Sequence, residues 1–188
     1  MTTQRRTPVM LPGFALLSLA PLFGGCVSAQ CVLKKTDAAV DLTKYTTCYV
    51  ANTDSADGVV VPTSVLSSTP DRIASELRGR ETFDTVLRES LAEPAQHLRV
   101  RTTYTNYRPG SRALRFMLIG LGTADLKMEV KLEDGTDGRQ LATGRVHEFW
   151  GWGGLLGMSR GIEDLQKSAA KHIGEGIDKA CGQSGRRR

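Results

Sequence analysis

The chain has 188 residues, of which 40% are hydrophobic and 24% charged, and its formal charge is +5. Those proportions exclude a disordered polar chain and leave room for one domain with a true core. Two of the positive charges sit at Arg5 and Arg6 and three at Arg186–Arg188. The body between them is close to neutral, which argues against nucleic-acid binding, where a basic stripe lies on the domain itself.

The first 25 residues read as an export signal: Arg5-Arg6, a mostly apolar run from Val9 to Phe23, then small residues before Cys26. Pro12, Gly13 and Pro21 break the run, which is also shorter than the roughly 20 residues a spanning helix needs. Phe23-Gly24-Gly25-Cys26 resembles the lipobox of bacterial lipoproteins, and the resemblance implies that Cys26 is lipidated with palmitate-type chains and becomes the first residue. Ordinary cleavage after Val27-Ser28-Ala29 is the alternative. Val27, where an aspartate would retain a lipoprotein at the inner membrane, points to the periplasmic side of the outer membrane. The expected partition is residues 1–25 as signal, 26–42 as tether, 43–181 as the domain and 182–188 as a basic tail.

Thr43 to Asn52 reads as a strand with Thr46, Cys48 and Val50 on one face, and 52–68 as a loop. Thr69-Pro70-Asp71 reads as a helix start. Ile73, Leu77, Phe83, Leu87 and Leu91 then recur at helical spacing, with Pro94 as the stop. Leu98 to Tyr104 and Ala124 to Glu133 alternate as strands. In the second, Leu126, Met128, Val130 and Leu132 oppose Asp125, Lys127, Glu129 and Lys131. The Asp-Gly pairs at 134–138 predict a hairpin into a fourth strand ending at Trp150. Ile162 to Ala180 predicts a helix with a ridge of Ile162, Leu165, Ala169, Ile173 and Ile177. The expected fold is an α+β two-layer sandwich. A mostly antiparallel four-stranded sheet carries two amphipathic helices on one face, in the order β-α-β-β-β-α.

Two connections are long, glycine-rich and apolar: 108–123 and 150–160. They fold over the sheet, or they form a contact surface. If the second and fourth strands run the same way, both connections leave one end of the sheet. The partner-binding candidates there are Arg108, Arg112, Leu114, Arg115, Phe116, Met117, Trp150, Trp152 and Leu155, an apolar and aromatic centre with arginines at its rim. The expected partners are the membrane, through Cys26, and another envelope protein. The oligomeric state is not readable.

Catalytic motifs are sparse. Gly157-Met158-Ser159-Arg160-Gly161 fits G-x-S-x-G, with His172 and Asp164 or Asp178 downstream, but a Trp/Gly loop stands where a strand must feed the elbow. Gly120-Leu121-Gly122 lacks a third glycine and leads into a strand, so no dinucleotide site is expected. The cysteines and three histidines show no metal-ligand spacing. No metal, cofactor or enzymatic activity is expected; a lipid or small-ligand carrier is the alternative to an interaction module, and a hydrolase acting through Ser159 is the remote one. With Cys26 lipidated, Cys31, Cys48 and Cys181 remain. Cys48 on the strand's inner face and Cys181 one turn beyond Ile177 are expected to make a disulfide pair in the helix–sheet layer, with Cys31 left free or pairing between molecules.

From Tyr45 to the last helix the chain is similar to a family of small bacterial lipoproteins catalogued as domain of unknown function 4410. Pro109-Gly110-Ser111-Arg112-Ala113-Leu114-Arg115, Gly120-Leu121-Gly122-Thr123-Ala124, the alternating strand and Asp134-Gly135-Thr136-Asp137-Gly138-Arg139-Gln140-Leu141-Ala142 carry the likeness. Asp137, between Thr136 and Gly138, departs from the family's usual turn. The resemblance implies an envelope lipoprotein of α/β type and transfers no catalytic residue.

Overall fold

The computed structural model describes residues 30–89, 96–111, 113–114, 122–150 and 161–182. Its centre is a meander of three strands, β5 (Leu98–Arg108), β6 (Ala124–Asp134) and β7 (Gln140–Trp150). Each is 11 residues long and antiparallel to the next. The alternation of β6 is realised as expected: Leu126, Met128, Val130 and Leu132 are buried, and the charged set faces outward.

β5 outruns its expected end at Tyr104. A bulge between Tyr104 and Asn106 adds one residue and resets the alternation. Tyr107 thereby shares the inner face with Tyr104, edge to face at 5.7 Å, and Arg108 comes to lie opposite Asp125.

The sheet is larger than four strands, and it is mixed. Its order is β1 (Lys34–Lys35), β7, β6, β5, β2 (Thr47–Val50) and β4 (Thr85–Leu87), with β3 (Asp54–Ser55) pairing to β5 as the seventh strand. β2 runs parallel to both β5 and β4. β3 is likewise parallel to β5. At the far edge β1 pairs antiparallel with β7. The expected antiparallel sheet is therefore corrected to a meander flanked by a parallel β-α-β unit. A helix that crosses between neighbouring strands makes them parallel.

That crossover is α1 (Thr63–Gly79), which starts six residues before the expected cap and stops well short of Leu91. Pro62 precedes its first turn, and Pro70, read as the helix start, lies inside it. The Thr69 hydroxyl donates to the Val65 carbonyl at 2.7 Å and also bonds Tyr104 Oη at 2.7 Å, tying the proline turn to the sheet. After Gly79 the chain turns at Glu81, in the left-handed region at φ 53°. Phe83 is buried and Leu87 belongs to β4, so the helical spacing that reached them was coincidental.

α2 (Ile162–Ala180) lies beside α1 on the same face, over β6 and β7. Leu165, Ala169, Ile173 and Ile177 are buried as the ridge predicts. Asp164 accepts the Gly161 amide at 2.8 Å, closing the first turn.

The stretch read as a tether touches the domain at a few places while most of its residues from Gln30 to Asp41 stay exposed. Cys31 and Leu42 are buried in the core, and Lys34 and Lys35 extend the sheet.

Candidate functional site: the strap and the loop pole

Two features of the described residues stand out. The first is the strap formed by Gln30 to Lys35. Because β1 is antiparallel to β7, the chain N-terminal to Lys34 runs towards the C-terminal end of β7. It is seated in two glycine notches. A Cβ on Gly144 of β7 would stand 2.9 Å from the Val32 carbonyl oxygen and 2.9 Å from Leu33 Cδ2. A Cβ on Gly176 of α2 would stand 2.4 Å from the Cys31 carbonyl oxygen and 3.2 Å from its Sγ. Both glycines are needed for close approach of backbone to backbone.

Beside the strap is a cleft of about 190 Å³ lined by Gln30, Cys31, His172, Gly176 and Lys179 among others. At its inner side His172 Nδ1 lies 2.7 Å from Glu148 Oε1, with both side chains largely buried between α2 and β7. A buried carboxylate needs such a partner.

The second feature is the pole of the sheet where β5 and β7 end and β6 begins. Arg108, Asp125 and Phe149 form one cross-strand row on the outer face, and Ala124 pairs with Trp150 on the inner face. β5 and β7 therefore run the same way, and the segments after them depart from one pole. Asp125 is held by Asn106 Nδ2 at 2.7 Å and His147 Nε2 at 2.8 Å. Phe149 is 58% exposed and Leu114 47%. The Ser111 amide donates to the Gly122 carbonyl at 3.0 Å, drawing the base of the 108–123 connection together.

Of the partner-binding candidates, Arg108 and Leu114 are exposed and Trp150 packs half-buried against the core. Arg112, Arg115, Phe116, Met117, Trp152 and Leu155 lie outside the described residues, as do Cys26 and Ser159. Phe149 was missed because it sits inside a strand. Its signal is its register: Arg145, His147 and Phe149 share the outer face, so an aromatic at the third place is an exposed one.

Cys31, Cys48 and Cys181 are buried thiols. Burial pushes Cys31 up to about 11 and Cys181 up to about 12. Cys48 is raised further by burial and by Cys181, which is close enough to act on it electrostatically. His172, the histidine of the hydrolase reading, is engaged by Glu148, and Asp178 accepts the Thr82 hydroxyl at 3.0 Å. Among the described residues no group of three or more His, Cys, Asp and Glu is placed to hold a metal ion, and no helix is long and apolar enough to cross a membrane.

The fold is similar to that of solved structures. The PelC dodecamer from Paraburkholderia phytofirmans matches with a TM-score of 0.54 at 12% identity, over 79% of this chain and 98% of that one. Protein XCC0632 from Xanthomonas campestris, described under the family DUF330, matches with a TM-score of 0.50 at 10% identity, over 84% and 98%. At such identities the likeness is one of fold. Residues 50–154 match the family described as Domain of unknown function (DUF4410), and the chain belongs to that family. No functionally curated protein matches the chain.

Proposed function

We propose that this protein is a non-enzymatic, lipid-anchored component of the bacterial cell envelope. Cys26 holds it on the periplasmic side of the outer membrane, where it presents an α/β module to the envelope; the pole at the ends of β5 and β7 is its contact end. The observation that carries this reading is the strap. The lipobox-like Phe23-Gly24-Gly25-Cys26 ends only five residues before Cys31, which is buried in the core. From there the chain is locked to β7 and α2 through Gly144 and Gly176. A lipidated cysteine supplies the acyl chains that stable anchoring requires.

A carrier of lipid or small ligands calls for a cavity of roughly 300–1,000 Å³. Two clefts bounded by described residues have volumes of about 190 and 210 Å³, and the loops of the carrier reading lie largely outside the described residues.

Palmitate labelling of cells expressing the full chain, with membrane flotation, tests the anchor. Label and flotation are expected in the wild type and lost in Cys26→Ser. Crosslinking in vivo from Arg108 and Leu114 tests the module, with envelope lipid or protein as the expected adduct. Flotation unchanged in Cys26→Ser, or adducts absent from the pole, contradicts the corresponding half of the reading.

A further inference from the structure

We infer that the pole bearing Arg108, Leu114, Phe149 and Trp150 lies against the bilayer that holds the anchor, so that the sheet stands on the membrane on its loop end. This deepens the anchoring proposal, on which it rests, and commits the contact to the lipid surface.

The argument is one of chain length and direction. The strap climbs along β7 from Lys34 opposite Thr143, past Gly144, to Gln30, which lines one cleft together with His172 and Glu175. His172 bonds Glu148, two residues before the end of β7. Gln30 is therefore already near the pole, and two residues of strand cover only about 7 Å. From Gln30 back to Cys26 there are four residue steps, which span at most about 14 Å when fully extended. Lys34 lies opposite Thr143, three residues from the start of β7, so the 134–140 turn at the opposite end of the sheet is about seven strand residues from Gln30, roughly 23 Å. A leash of that length brings the loop pole to the lipid headgroups and cannot bring the far turn there.

The composition of the pole suits an interface between water and lipid. Phe149 and Leu114 are among the large apolar side chains most exposed in the described residues. Arg108 lies in the same row as Phe149, across Asp125. An exposed arginine suits the phosphates of headgroups, and aromatic side chains prefer the interfacial layer. The far turn, Asp134 to Gln140, carries Asp137, Arg139 and glycines and no exposed large apolar group.

The chain holds two tryptophans: Trp150 ends β7 at this pole, and Trp152 follows it two positions later in the sequence, outside the described residues. The lipidated full-length protein is reconstituted into phosphatidylethanolamine/phosphatidylglycerol vesicles doped with dansyl-labelled phosphatidylethanolamine. Energy transfer from tryptophan to dansyl is read on the floated fraction. It is compared with Gln140→Trp in a Trp150→Phe, Trp152→Phe background, which moves the donor to the far turn. Transfer from the native tryptophans is expected to exceed that from the far turn at least roughly fivefold, given the separation of about 35 Å along the 11 residues of β7. Circular dichroism of both proteins verifies that the fold is kept; if the triple variant unfolds, the wild type is read against Gln140→Trp alone, in which added transfer should be small. Equal or reversed transfer in protein that floats overturns the inference and turns the pole towards a protein partner. Wild-type protein that fails to float overturns the anchor reading itself, and the orientation with it.

Discussion

The Cys31 carbonyl lies so close over Gly176 that a Cβ there would stand 2.4 Å from its oxygen. The first packed segment of the chain and its last helix are thus joined backbone to backbone. In an open helix position, glycine to alanine gains about 0.5–1 kcal/mol. Gly176→Ala is expected instead to destabilise by about 1–3 kcal/mol, because the strap must shift or the helix must bend. Gly79→Ala, with nothing within 4 Å, is the control and should stabilise slightly. Urea denaturation of the two variants checks the opposite signs; a stabilised Gly176→Ala contradicts the seating of the strap.

The buried His172–Glu148 pair at 2.7 Å is a second point where α2 is fastened to β7. His172→Ala leaves a carboxylate in the helix–sheet layer without this partner, at an expected cost of about 3 kcal/mol. Replacing both residues by leucine and methionine removes the charge problem and should recover much of that loss. A double-mutant cycle measures the coupling; additive effects would show that the two side chains do not act together.

Tyr45 and Asp134 link the β6–β7 turn to the chain before β2: Tyr45 Oη donates to Asp134 Oδ2 at 2.6 Å. Burial alone raises the Asp134 pKa, but hydrogen bonds from Tyr45 and from the amide and side chain of Thr136 together hold it below its ordinary 3.8. A carboxyl whose folded pKa is lowered stabilises the fold above the unfolded value, and the contribution is lost as pH falls through the folded one. Tyr45→Phe should therefore cost about 1.5–3 kcal/mol at neutral pH, with the gap to wild type closing only below about pH 4. Thermal melts between pH 2.5 and 7 check this; a gap independent of pH would mean that packing, not the carboxylate, holds Tyr45.

Cys48 and Cys181 are free, buried thiols in the structure, and Cys181 adds to the upward push that burial gives Cys48. In an oxidising envelope they are expected to form the disulfide, closing a long loop worth about 4 kcal/mol in the chain-entropy model. Cys31, buried and with its pKa raised to about 11, should resist alkylation until the protein unfolds. Peptide mapping without reduction should link Cys48 to Cys181. Three alkylatable thiols after unfolding without reductant would contradict the pairing.

Local pattern and long-range pairing were legible in the sequence to different degrees. β6, β7 and α2 each write their buried face into their own residues, as Leu126 to Leu132 and Leu165 to Ile177 show. α1 was misplaced because Thr69-Pro70 carries a start signal, while the true start behind Pro62 shows only a weak apolar pattern. β4 was missed because three residues set no periodicity, and its pairing with β2 is decided 38 positions away, at Thr47 opposite Thr85. The same holds for the site. The loop pole follows from counting strand directions, whereas the strap does not: two lysines carry no strand pattern, and Gly144 and Gly176 acquire meaning only once Leu33 and Cys31 lie against them.

Mass spectrometry of the N-terminal peptide of the mature protein, extracted from membranes, tests the central claim most directly. The account predicts a peptide that begins at Cys26 and carries acyl chains. A peptide beginning at an unmodified Gln30, as ordinary cleavage after Ala29 would leave, contradicts the anchor and removes the reason for the domain to stand on the membrane.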